Sequence, residues 1–64
     1  MIAYKLNQDG SLSNKAVLNN ANELYEWISK YNFASVRVES ETTGIIQDYT
    51  DTGNGVYKLM GVMQ

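Results

Sequence analysis

Residues 20–31 read NANELYEWISKY, and the reading of this stretch decides the fold. Leu24, Trp27, Ile28 and Tyr31 fall at i, i+3, i+4 and i+7, one stripe of a 3.6-residue period. Asn22, Glu23, Glu26, Ser29 and Lys30 take the other side, where Glu26 and Lys30 form a favourable i,i+4 pair. Asn20 suits the N-cap, and Glu23 three residues on completes a capping box. Asn32 suits the left-handed residue that ends a helix, after which Phe33 can fold back on Ile28. The spacing therefore predicts an amphipathic helix with Leu24, Trp27, Ile28 and Tyr31 as scaffold core. Such a helix needs an apolar surface to lie on.

The flanking segments change period to two. Ile2, Tyr4 and Leu6 alternate with Ala3, Lys5 and Asn7, as in a half-buried strand. A three-residue loop, Gln8-Asp9-Gly10, with Gly10 in the left-handed region would set Leu6 opposite Leu12 and Ile2 opposite Ala16. A two-residue Asp9-Gly10 loop matches apolar with apolar less well. Ser11 to Leu18 is polar enough to be part strand and part loop. Beyond the helix, Val36 and Val38 alternate with Ser35, Arg37 and Glu39, and a polar turn at Glu41–Gly44 leads into Ile45–Thr50. Asn54-Gly55 then signals a type I′ hairpin, which taken literally pairs Asp51 with Lys58, Thr50 with Leu59, Tyr49 with Met60 and Ile46 with Met63. The expected fold is a single α+β domain over residues 1–64, of order ββαβββ, with one helix on an antiparallel sheet.

Composition narrows the classes of function. Cysteine and histidine are absent, so no disulfide is expected, and neither a metal site nor any cofactor is indicated. The net charge is −2, and Lys5, Lys15, Lys30, Arg37 and Lys58 are scattered, a poor footprint for a phosphate backbone. No apolar run approaches the ~18 residues that span a bilayer, and Met1–Leu6 alternates instead of forming a signal-peptide core. These features read as a cytoplasmic protein with no membrane association.

Catalytic machinery is equally scarce. Without His or Cys there is no Ser-His or Cys-His pair, so no catalytic residue is assigned and a non-enzymatic role is expected. Glu23 with Glu26, and Glu39 with Glu41, are paired carboxylates at positions that read as solvated faces. Asp48 to Gly55 has a superficial look of a calcium loop, but it lacks the far acidic ligand and reads as a hairpin.

The remaining clue is the last strand. Val56, Met60 and Val62 are expected on one face and Tyr57, Leu59 and Met63 on the other. One helix covers one face only. Either an apolar set, with Tyr49 or Ile46, stays exposed as an interface, or the sheet curls until its second face becomes a barrel-like core. Tyr49, Val56, Tyr57, Leu59, Met60, Val62 and Met63 are therefore the candidate interface residues. The expected function is a protein-binding module that holds another protein or a second copy of itself through a sheet face or edge. Small size, plentiful asparagine and missing catalytic groups match the style of accessory and inhibitor proteins of bacteriophages and mobile elements. Two alternatives stand beside it: a structural homo-oligomer subunit, and a nucleic-acid-associated regulator using a hairpin and tyrosines.

Overall fold

A computed structural model describes residues 1–53 and 56–63. The elements run β1 (Ile2–Leu6), β2 (Leu12–Val17), α1 (Ala21–Tyr31), β3 (Ser35–Glu39), β4 (Ile46–Asp51) and β5 (Tyr57–Met63). The strands make one antiparallel sheet in the order β2-β1-β3-β4-β5, with α1 packed on one face. The expected α+β architecture and ββαβββ order are what the chain adopts.

The helix forms where its periodicity places it. The Glu23 N–H donates to Asn20 Oδ1 at 3.0 Å, which caps the first turn. The Glu23 carboxylate accepts from the Asn19 N–H at 2.9 Å, one residue before the cap. At the other end Asn32 sits at φ 53°, and its N–H donates to the Ile28 carbonyl at 2.7 Å. Phe33 then folds back onto Trp27, edge-on at 5.3 Å, and onto Tyr31, stacked at 5.4 Å.

The core lies between α1 and the sheet. Ala3, Leu18, Trp27, Val36 and Val38 are buried, with Met1, Ala16, Leu24, Ile28, Phe33, Tyr49 and Tyr57 packed around them. Tyr31 departs from the expected scaffold. It is 46% exposed, because it occupies the last turn and its ring rests on Phe33 instead of on the sheet. The first strand also turns its faces the other way from a simple reading of its large residues. Ala3 lies beneath the helix opposite Val38, while Ile2, Tyr4 and Leu6 share the opposite face with Glu39 and Arg37. A methyl group leaves room for the Trp27 ring, so the smallest residue of the strand is the one that packs most completely.

Two bulges set the registers. In the first hairpin the Asn7 N–H donates to the Ser11 carbonyl at 2.9 Å and the Gly10 N–H to the Asn7 carbonyl at 3.0 Å, closing the three-residue loop. Gly10 takes φ 88°, which a residue with a Cβ adopts only with strain. Leu6 faces Leu12 as expected, but Ile2 meets Val17 and Ala3 meets Ala16. The cause is an extra residue opposite Tyr4, where Asn14 adopts φ 54°.

In the last hairpin Thr50 pairs with Lys58 and Asp51 with Tyr57, one residue away from the literal Asn-Gly register. The loop closes between Thr52 and Val56, whose carbonyl accepts the Thr52 N–H at 3.0 Å, so the loop is longer than two residues. The type I′ turn expected at Asn54-Gly55 lies outside the described residues. A bulge at Met60 then absorbs the slip, so that Tyr49 faces Leu59, Asp48 faces Gly61 and Ile46 faces Met63.

Candidate functional site

The slip and its correction redistribute the side chains of β5. Tyr57, Leu59 and Val62 stand on the helix face, opposite Asp51, Tyr49 and Gln47. Lys58 and Met63 stand on the other face, opposite Thr50 and Ile46. The bulge turns Met60 toward that same outer face, where it lines a groove with Ser35, Arg37 and Thr50. The expected grouping of Val56, Met60 and Val62 against Tyr57, Leu59 and Met63 is therefore replaced. A strict period of two holds only when no residue is inserted into the ladder.

The seven candidate interface residues divide into two sets. Tyr49 and Tyr57 pack against the core, and the Tyr57 hydroxyl donates to the Phe33 carbonyl. Burial and, secondarily, the nearby Asp51 charge push the Tyr57 phenol above its ordinary pKa. These two tyrosines tie β4 and β5 to the helix–β3 junction. Val56, Leu59, Met60, Val62 and Met63 are between 44% and 63% exposed, and they line the free margin of the sheet. Leu59 and Val62 lie on the helix face yet outside the cluster around Trp27.

The opposite edge is chemically different. Its strand, β2, carries Ser13, Asn14 and Lys15 in its middle, with a bulge at Asn14. A bulge and a lysine are two of the usual means by which sheets keep an edge from pairing. β5 carries a bulge at Met60 and an exposed Lys58 as well, but its other exposed side chains, Leu59, Met60, Val62 and Met63, are apolar on both sides of the sheet.

The face opposite the helix is not fully open to solvent. Ile2, Tyr4, Leu6 and Ile46 on that face are half-buried although no helix covers them. At its centre Arg37 donates through Nε to Asp48 Oδ1 at 2.8 Å and through Nη2 to Asp48 Oδ2 at 3.0 Å. The side chains are 22% and 17% exposed, and the Asp48 hydrogen bonds hold the Arg37 guanidinium above its already high pKa. Beside this pair lies a groove of about 600 Å³, open to solvent, walled by Leu6 and Met60 and ending at the Gln8–Gly10 turn. Ser35 Oγ donates to Thr50 Oγ1 at 3.3 Å on its floor. The groove can take an apolar side chain and offers hydroxyls to a polar tip.

Other sequence features come apart in three dimensions. Glu23 is engaged in capping, and Glu41 lies 4.0 Å from the Met1 ammonium. Asp48 and Asp51 fall on opposite faces of β4, the first held by Arg37 and the second accepting the Gly53 N–H at 2.9 Å. Among the described residues no helix is long and apolar enough to cross a membrane. Comparison with protein families, curated proteins and solved structures finds no match to this chain.

Proposed function

We propose that this chain is a non-enzymatic protein-binding module and that the β5 margin is its contact surface. One observation carries the reading: β5 is an edge strand on which, Lys58 aside, the exposed side chains Leu59, Met60, Val62 and Met63 are apolar and lie on both faces of the sheet. An uncovered strand of that kind is costly in a soluble protein unless something covers it. The groove continues the same surface, because Met60 belongs to both.

The charges support a protein partner over a nucleic acid. Arg37 is committed to Asp48, while Lys5 and Lys30 lie over the rings of Phe33 and Tyr31 at 5.7 and 5.2 Å. Such dispersed cations give no continuous path for phosphates. Chemical-shift mapping against extract fractions of the native host tests the proposal. Selective broadening at Leu59 to Met63 is the expected result. Broadening centred on β2 or the exposed helix face, with β5 unmoved, would overturn it.

A further inference from the structure

Resting on the reading of β5 as a contact surface, we infer that its occupant is a second copy of this chain, joined β5 to β5 about a two-fold axis at Leu59. Complementarity points first to this partner. A strand that shows apolar side chains on both faces, Leu59 and Val62 on one and Met60 and Met63 beside Lys58 on the other, is best covered by another of the same kind, and β5 itself is one. A partner strand with the usual polar face would bury polar groups against either Leu59 and Val62 or Met60 and Met63.

Area is the second argument. The five exposed apolar residues from Val56 to Met63 present on the order of 500 Å² of side chain, the upper range for the largest patch of a monomer. Covering all of it together with the edge backbone would bury at most roughly 600 Å² per copy, the lower bound for a stable interface. The chain has a use for such burial. Among the described residues the buried side chains include one large aromatic, Trp27, and the chain has no cysteine to cross-link a sequence of this length.

Backbone geometry locates the axis. The Thr52 N–H donates to the Val56 carbonyl, so by alternation Thr50 and Lys58 are the next hydrogen-bonded pair. The N–H and C=O groups of Tyr57 and Leu59 then point away from β4, toward the open edge. An axis through Leu59 lets Leu59 exchange both bonds with its counterpart. It sets Lys58 opposite Met60 of the second copy, on the same face, and keeps the two Lys58 ammonium groups from meeting. Met60, where the bulge lies, is the first residue past the axis, so the regular ladder spans residues 58–60 of each copy, and the two-fold symmetry closes the contact at two chains.

Sedimentation of the full chain from about 1 µM to about 1 mM tests this, since a small wet interface falls in that affinity range. The wild type is expected to move from 7.2 kDa toward twice that mass as concentration rises. Leu59→Arg should weaken association at least about tenfold, while Val17→Arg, at a 66% exposed position on β2, should leave it unchanged. Circular dichroism establishes that each variant is folded, and Met63→Arg replaces Leu59→Arg should that variant not fold. A wild type that stays at 7.2 kDa throughout, or association equally insensitive to Leu59→Arg and Val17→Arg, overturns the dimer. Binding of anilinonaphthalene sulfonate separates the two readings. A monomer that binds the dye and loses binding on Leu59→Arg keeps β5 as a contact surface for a different partner. A monomer that does not bind it ends both.

Discussion

Trp27 concentrates the stability of the domain in one side chain. It is buried at the centre of the helix stripe and touches the rings of both Tyr31 and Phe33. Trp27→Ala is expected to cost about 3–5 kcal/mol, a large part of the roughly 3–10 kcal/mol a chain of this length holds, and urea unfolding will measure it. Tyr57 contributes differently, through one hydrogen bond to the Phe33 carbonyl and a raised pKa. The fold favours the protonated phenol, so this contribution is complete below the ordinary tyrosine pKa of about 10 and is lost as pH rises through the higher folded value. Tyr57→Phe should therefore lose about 0.5–1.5 kcal/mol at neutral pH. It should also show a shallower alkaline decline than the wild type in the same unfolding assay. Trp27 was legible in the sequence because it sits mid-stripe. Tyr31 was not, because periodicity does not show which ring of the stripe stacks on Phe33 and stays half exposed.

Elements were read well where one local signal sufficed. The helix declares its ends through Asn20 and Asn32, and Asn20→Ala should cost about 1 kcal/mol by thermal or urea unfolding. Asn32→Gly should be neutral or slightly stabilising, since the residue already holds a left-handed conformation that glycine adopts freely. The strands were harder. Leu6 opposite Leu12 follows from the loop length, whereas Ile2 opposite Val17 depends on an inserted residue at Asn14 that no composition marks. Met60 is the same case: its bulge restores Ile46 opposite Met63 while moving every pair nearer the turn by one residue. The Asn54-Gly55 turn lies outside the described residues, and what sets the register beside it is closure between Thr52 and Val56, with the Thr52 hydroxyl also donating to the Val56 carbonyl at 2.8 Å. The candidate site was thus legible as an apolar strand but not as two assigned faces.

At the scale of the whole molecule, one helix on five strands leaves two kinds of apolar surface uncovered. The first, the Ile2, Leu6 and Ile46 side of the sheet around the Arg37–Asp48 pair, is half-buried. That pair bridges β3 and β4, and a double-mutant cycle with Arg37→Ala and Asp48→Ala should give a coupling of about 1.5 kcal/mol. A coupling near zero would mean that the two strands are held by backbone bonds and packing alone. The second surface is the β5 margin, which among the described residues no other element covers. Sequence patterning exposed the surplus because it counts apolar residues. It did not show which strand would lie at the edge, since strand order depends on long-range pairing.

The aromatic arrangement described above has a practical consequence for spectroscopy. The single indole lies against Phe33 and Tyr31, so its fluorescence reports docking of the helix on the sheet. The three methionines divide the remaining work: Met1 packs on the core, whereas Met60 and Met63 occupy the free margin. One sample with labelled methionine methyl groups can therefore follow interior and margin as separate signals. With the tryptophan as an independent gauge of folding, the native chain carries its own reporters without any introduced dye.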